Sequence, residues 1–298
     1  MIYRLGRKKY DIYAMDIESH NDEESIAKKK TSMWLGCFIN EESKVDDETS
    51  YFYNMNQFMD RLDMLSSRHR HSHDETRPCK NIAVYIYNLS FEWSFLLPYV
   101  LERGFKFKES IEENDEYVFN SITTKSVSSV WQVQLKFHKK SGIVILRDLA
   151  KLFGGGLGNV AKAFKLPTQK GEIDYRLNRL HMKDSDGNEI PWIPTREEKE
   201  YCFKDTKIIM DILEEMVRRN DKDFFKAVSM ASYSMLKLLK KGYPRSMKPY
   251  SEFRKQYPML SKEENEFDRN ALAGGICYAT KYWQFKEVNT PILHIDGH

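Results

Sequence analysis

The sequence predicts an α/β protein in which a mixed sheet is flanked by helices. Strand-like runs rich in β-branched and aromatic residues alternate with segments whose apolar residues recur at helical spacing. The chain has 298 residues, 41% hydrophobic and 31% charged, so it can bury a substantial core as one large domain or two smaller ones. Its net charge is only +3, so any nucleic-acid binding depends on local basic patches.

Signals for membrane insertion, secretion and disulfide bonding are missing from the sequence. The longest mostly apolar run, residues 93–101, is too short to span a bilayer, and the N-terminal residues lack the apolar core of a signal peptide. The four cysteines are scattered without a CxxC pair, which is typical of reduced thiols and not of a zinc site. We therefore expect a cytoplasmic protein without a membrane partner.

The first part of the chain predicts antiparallel strands that open the sheet. Residues 10–19, 31–39 and part of 50–58 are rich in β-branched and aromatic residues and are bounded by polar clusters. A polar segment at 66–80 follows, and both a metal site and a solvated surface loop fit its histidines. The loop is favoured, because the segment has no apolar partner to hold ligands in place. The histidines are His69, His71 and His73.

The middle of the chain predicts a strand, a helix and a hairpin. Residues 81–87 form the strand and residues 91–103 the helix, whereas 130–137 and 143–149 alternate as a hairpin closed by the turn KKSG. The glycine-rich stretch at 154–158 lacks the Lys-Ser/Thr pair of a phosphate-binding loop. It is interpreted as a flexible connection before a short helix.

The clearest helix of the sequence covers residues 196–218. Thr195 and Glu198 form the pattern of a capping box, and apolar residues recur at helical spacing after them. Tyr201 and Asp205 are four residues apart, so they share a face that continues into the apolar stripe. A buried carboxylate needs a partner or a metal ion. The alternative is that Tyr201 and Asp205 form a solvent-exposed pair on the surface of the helix.

Two more carboxylates leave the first strand in one direction. Asp16 and Glu18 share a face with Ile12 and Ala14, because side chains alternate along a strand. Like charges this close raise each other's pKa unless a cation lies between them, and magnesium or manganese takes such oxygen ligands. A metal site and a polar strand end both fit this pair. A further acid, Glu92, lies at the start of the predicted helix 91–103. Taken alone, it fits both a functional carboxylate and a solvated acid that the helix dipole stabilises at this position.

Three short motifs resemble, in order and spacing, the exonuclease motifs of family B DNA polymerases. Residues 16–18 (Asp-Ile-Glu) are similar to Asp-x-Glu, and residues 88–92 (Asn-Leu-Ser-Phe-Glu) to Asn-x-x-Phe-Asp. Residues 201–205 (Tyr-Cys-Phe-Lys-Asp) are similar to Tyr-x-x-x-Asp. The predicted placement on a strand, at a strand-to-helix turn and on a helix also agrees with the family.

Further segments resemble the protein-primed branch of that family. The stretch LPTQKGEIDYRL is similar to the segment that carries an exonuclease lysine, here Lys170. Residues 271–279, with Gly274 and Gly275, resemble the Tyr-x-Gly-Gly hinge. The stretch PILHIDGH resembles the strand that ends in the first polymerase aspartate, here Asp296, and only two residues follow it. We therefore expect an incomplete palm and no polymerisation by this chain.

The sequence departs from the family pattern at four places. Glu92 stands where most members have Asp, and Ser19 stands where a threonine that contacts the primer end is usual. Leu272 replaces the hinge tyrosine. The Ser/Thr-Leu motif that binds single strands is replaced by Asp148 and Leu149, so the DNA contacts of that motif are altered.

The resemblance implies an RNase H-like fold with a 3′–5′ exonuclease domain at 1–230. Residues 231–298 would form a helical connection and the first strands of the palm. Tyr201 would position the attacking water, and Lys170 would neutralise charge that grows on the phosphate. Two Mg²⁺ or Mn²⁺ ions would be held by Asp16, Glu18, Glu92 and Asp205.

The partners implied by the resemblance are the 3′ end of single-stranded DNA and primer-template DNA. A terminal priming protein would bind through the full-length polymerase, in the bacterial host cytoplasm of a phage or plasmid. Two other hypotheses stay open: a stand-alone exonuclease acting on DNA or RNA, and a DNA-binding domain that has lost catalysis. The implied DNA contacts are Ser19, Asn88, Phe91, Leu149, Gly274 and Gly275.

Overall fold

The structure is a computed structural model that describes residues 2–5, 8–20, 31–67, 79–123, 129–174, 192–242, 249–258 and 260–264, with isolated positions at 23, 27, 182–183, 185 and 189–190. The chain divides into two compact units, Met1–Leu238 and Leu239–His298. Several residues singled out in the sequence lie outside the described ones. They are His69, His71, His73, Leu272, Gly274, Gly275 and Asp296.

Among the described residues, nine strands form one mixed sheet. Its order is β4-β3-β2-β5-β9-β8-β7-β6, and β1 pairs with β2. The three central strands β2, β5 and β9 run parallel, whereas β3 and β8 lie antiparallel on either side of them. The strands are β1 Ile2–Leu5, β2 Lys8–Ser19, β3 Met33–Ile39, β4 Tyr51–Phe52, β5 Asn81–Ile86, β6 Lys106–Phe107, β7 Val118–Thr123, β8 Val130–Lys136 and β9 Val144–Asp148. A separate pair consists of β10 Met182–Lys183 and β11 Glu189–Ile190.

Six α-helices and two short 3-10 helices, Glu48–Ser50 and Ala150–Leu152, are found in the described part of the chain, and no helix there is long and apolar enough to cross a bilayer. The capping box predicted before the longest helix is present, because Thr195 and Glu198 each bond the other's backbone N–H. The helical segment expected after residue 230 is also present. The helices are α1 Met55–Ser66, α2 Leu89–Glu102, α3 Leu157–Phe164, α4 Arg196–Arg218, α5 Met230–Gly242 and α6 Pro249–Gln256.

The strand expected within 50–58 is much shorter than that segment. Only Tyr51 and Phe52 pair with β3, and a helix begins at Met55. The reason is the side chain of Asn54, which accepts the backbone N–H of Gln57 at 3.0 Å and caps this helix. The predicted antiparallel opening of the sheet and the hairpin of β8 and β9 are confirmed.

Buried side chains on the two faces of the sheet form two separate cores. Ile12 and Ala14 of β2 belong to the core on one face, together with the apolar side of α4. Met15 and Ile17 belong to the core on the other face, with α1 and α2. The two-residue alternation predicted for this strand is therefore confirmed. It turns the side chains of alternate residues toward α4, which packs on β2 and β3.

Candidate metal centre

Three parallel strands end at the same edge of the sheet, and each leads to an acid. β2 carries Asp16 and Glu18 near its end, β5 leads through a turn to Glu92, and β9 ends at Asp148. Ligand sites of open α/β sheets lie at the carboxyl ends of the strands. The fold thus collects at one edge carboxylates that are far apart in sequence.

The carboxylates of Asp16, Glu18 and Asp205 form a tight cluster. One oxygen from each lies within 4.8 Å of the others, so β2 and α4 supply the group jointly. Glu18 and Asp205 are 4% and 2% exposed, and Asp16 is partly exposed. Within the described residues, Oδ1 of Asp205 has no hydrogen-bond partner. These carboxylates repel one another, and one buried oxygen lacks a hydrogen bond. Such a group suits a divalent cation that prefers oxygen ligands, such as Mg²⁺ or Mn²⁺.

Lys170 brings a positive charge to this cluster. Its Nζ lies 2.6 Å from Oδ2 of Asp205 and 5.7 Å from the ring centroid of Tyr201. The next residue, Gly171, passes so close to Tyr201 that an added Cβ would lie 3.2 Å from Cδ2 of the ring. The side chain of Lys170 is 44% exposed, so the ammonium group can be reached from solvent.

The charge balance of the cluster changes the pKa of Asp16. Burial and, to a lesser extent, the charge of Asp205 raise that pKa, whereas Lys170 and the backbone N–H of Ile17 lower it, and together they leave it at about 7. In the absence of a metal ion, Asp16 therefore holds a proton up to near-neutral pH. A divalent cation would compete with that proton for the same oxygens.

Glu92 lies beside the cluster but outside its closest group of oxygens. The residue is 3% exposed, and its Oε2 has no hydrogen-bond partner among the described residues. Burial raises the pKa of Glu92 well above its usual value, and the charge of Asp16 adds to this effect. A solvated acid at a helix start is excluded by this burial.

The expected DNA contacts differ in their exposure. Asn88 and Phe91 are exposed at the start of α2, where Phe91 packs edge-on against Phe95 at 5.1 Å. Ser19 is partly exposed at the end of β2. Leu149 is wholly buried in the core, so its side chain could contact DNA only by moving.

Asp148 is the residue of this edge whose role the sequence did not reveal. It is 2% exposed, and its Oδ1 accepts the backbone N–H groups of Asn88 at 3.0 Å and Ala150 at 2.9 Å. The sequence feature that could have revealed this role is that Asp148 stands where the family pattern has Ser or Thr. Its hydrogen bonds depend on the pairing of β5 with β9, which joins segments about sixty residues apart.

Known DNA polymerases of phages are similar to this chain. The DNA polymerases of Bacillus phage Nf and Bacillus phage M2 are each 26% identical to it over 208 residues. The matched part is 69% of this chain and 32% of each relative, so the chain spans about a third of the length of these curated relatives.

Solved structures of Phi29 DNA polymerase share the fold. The complex with primer-template DNA and incoming nucleotide substrates matches with a TM-score of 0.62 and 20% identity, over 94% of this chain and 41% of that one. The complex with single-stranded DNA also matches with a TM-score of 0.62 and 20% identity, over 91% and 41%. The predicted fold class, a mixed sheet flanked by helices, is thereby confirmed. Because the model of the family described as DNA polymerase type B, organellar and viral, matches residues 74–293, the chain belongs to that family.

Proposed function

We propose that this chain is the 3′–5′ proofreading exonuclease region of a protein-primed family B DNA polymerase. The observation that carries the proposal is the cluster of Asp16, Glu18 and Asp205, whose carboxylate oxygens lie within 4.8 Å of one another. The similar phage proteins are DNA polymerases, and Phi29 DNA polymerase has been solved with single-stranded DNA. The proposed exonuclease domain is 1–230, and 231–298 would lead into the palm.

The four acids of the sheet edge would hold two Mg²⁺ or Mn²⁺ ions. Asp16, Glu18 and Asp205 supply the closest oxygens, and Glu92 supplies a buried oxygen beside them. When bound, such ions lower the pKa of a water molecule and stabilise a departing oxygen. The residues offer only oxygen ligands, which suits hard divalent cations.

Lys170 and Tyr201 act directly on the substrate in this proposal. The ammonium group of Lys170, now 2.6 Å from Asp205, is exposed enough to turn toward a phosphate oxygen and neutralise its growing charge. Tyr201 lies on the same face of α4 as Asp205 and next to Lys170. Its hydroxyl would orient the attacking water by a hydrogen bond.

The proposed substrate is the 3′ end of single-stranded DNA or a frayed primer-template. Phe91 offers an exposed ring on which a base or sugar can stack. Asn88 and Ser19 offer polar groups at the same edge of the sheet. A terminal priming protein would bind through the full-length polymerase, in the bacterial host of a phage or plasmid.

Digestion of a 5′-labelled single-stranded DNA oligonucleotide tests the proposal. With Mg²⁺ or Mn²⁺ we expect a ladder of products shortened from the 3′ end, which EDTA and the variants Asp16→Ala and Asp205→Ala abolish. The matched control is Asp60→Ala, which removes an exposed acid of α1. An RNA oligonucleotide in parallel separates a DNA exonuclease from an RNA-trimming enzyme. No shortening of DNA with either metal would overturn the proposal.

A further inference from the structure

The turn between β5 and α2 is not capped by its own N-cap residue. Asparagine in that position ordinarily accepts a backbone N–H of the first helical turn with its side chain. Asn88, however, adopts the left-handed conformation with φ 77° and ψ 54°, and its side chain makes no cap hydrogen bond. Its amide is therefore exposed at the sheet edge, one helical turn before Glu92.

Asp148, at the end of the neighbouring strand, supplies an acceptor for the backbone N–H groups at the very start of this helix. Its Oδ1 lies 3.0 Å from the backbone N of Asn88 and 2.9 Å from that of Ala150, and the N–H of Leu89 also faces this carboxylate. Beside it, the N–H of Leu149 donates to the carbonyl of Ile86 at 2.7 Å. One buried carboxylate thus ties the ends of two parallel strands to the first turn of α2.

The charge of Asp148 suits this position. A negative charge at a helix N-terminus is stabilised by the helix dipole and by the N–H groups that point toward it. Its Oδ2 has no hydrogen-bond partner among the described residues, and it lies 3.8 Å from Nζ of Lys151. A serine or threonine, which the family pattern predicts at this position, carries no such charge.

We propose that Asp148 is a positioning residue of the nuclease site. By capping α2 in place of Asn88, it leaves the Asn88 amide available to the DNA strand and fixes Glu92 beside Asp16. This inference rests on the proposed exonuclease function. Residues that orient metal ligands without contacting the metal themselves typically contribute about 10–100-fold to metal affinity or activity.

Kinetics and metal titration on the full chain test this role. In Asp148→Ala we expect kcat to fall about tenfold or more and the Mn²⁺ concentration at half-maximal thermal stabilisation to rise about tenfold. We also expect a higher KM for single-stranded DNA, because Asn88 is no longer fixed. Asp148→Asn keeps an oxygen acceptor at Oδ1 but loses the negative charge, so it should restore only part of the activity. The matched control is Asn54→Ala, which removes the side-chain cap of α1 away from the site.

The outcomes separate a positioning role from a structural one. If Asp148→Ala lowers the melting temperature as Asn54→Ala does but leaves kcat, KM and the Mn²⁺ titration unchanged, the inference is wrong. If Asp148→Ala does not fold, Asp148→Asn and Asp148→Ser are compared in the same assays. In that comparison, Asp148→Ser should show weaker Mn²⁺ binding and lower kcat than Asp148→Asn, and equal values would contradict the inference. A parent protein without nuclease activity would overturn the proposed function, and the Mn²⁺ titration would still decide whether Asp148 positions Glu92.

Discussion

At the scale of single residues, Glu92 shows how burial constrains a carboxylate. With 3% exposure and no hydrogen bond to Oε2 among the described residues, its charged form is disfavoured unless a cation lies close by. If Glu92 is a metal ligand, Glu92→Ala should strongly lower the Mg²⁺-dependent release of 3′ nucleotides. The loss should exceed the roughly 10–100-fold that is typical for residues that only orient metal ligands. Gel analysis of a labelled oligonucleotide measures this loss.

Two further variants sharpen the test of Glu92. Glu92→Asp keeps the charge and shortens the reach, so it should retain partial activity. Combining Glu92→Ala with Asp205→Ala should add little to either change alone, since residues that act as a unit are strongly non-additive. A Glu92→Ala protein as active as the parent would show that this acid holds no metal.

Asp16 links the site to the stability of the fold. Its folded-state pKa of about 7 lies above the value of about 4 in an unfolded chain. The proton is bound more tightly in the folded state, so this stabilisation is complete below about pH 4 and is lost as the pH rises toward about 7. Burial also raises the pKa of Glu92, which acts in the same direction.

We therefore expect the melting temperature of the protein in EDTA to fall between about pH 5 and about pH 8. Mn²⁺ should restore more stability at the higher pH, where it no longer competes with the proton on Asp16. Asp16→Asn should weaken both the pH dependence of the melting temperature and the pH dependence of the stabilisation by Mn²⁺. Thermal unfolding followed by circular dichroism measures them, and an equal gain from Mn²⁺ at both pH values would contradict the coupling.

At the scale of elements, β3 and β4 meet at a glycine. A Cβ added at Gly36 would overlap the ring of Phe52, which is fully buried and stacked on Phe58 at 5.2 Å. Because the ring has no room to move, we expect Gly36→Ala to lower the free energy of unfolding by about 1–3 kcal/mol. Urea denaturation measures the loss. In the control Gly154→Ala the added Cβ meets no atom within 4 Å, so an equal loss there would contradict this explanation.

Elements with a strong local signal could be predicted from the sequence. The alternation of β2 and the capping box of α4 lie within a few neighbouring residues, and both put their acids on the faces where the structure has them. The helix α1 was missed because its signal, the cap by Asn54, follows directly on a strand-like run. The burial of Leu149 and the hydrogen bonds of Asp148 depend on which strands are neighbours, and local sequence patterns do not contain that information.

At the scale of the whole molecule, the sheet topology explains the site better than any one segment. Parallel pairing of β2, β5 and β9 aligns their carboxyl ends, and α4 packs across β2 to add Asp205. The motifs occur far apart along the chain, yet their acids share one edge. The order of the motifs in the sequence predicted that these acids lie together, because the resemblance to the family implied the topology of the sheet.

The charge of the molecule sets an expectation for DNA binding. With a net charge of +3 and several acids clustered at the site, the chain can neutralise few phosphates. Single-stranded DNA should therefore bind weakly in EDTA, with a log–log salt slope shallower than about −2, since each neutralised phosphate contributes about −0.7.

Fluorescence anisotropy of a labelled oligonucleotide across a salt series measures that slope. Lys170→Ala should make it shallower by about 0.7 if this ammonium group contacts a phosphate, because one fewer counterion is then released. Lys139→Ala is the matched control, since it removes an exposed lysine from the turn between β8 and β9. Nanomolar binding that persists at high salt would contradict the expectation. It would mean that the strand is held by a basic groove rather than by stacking and a few contacts at the sheet edge.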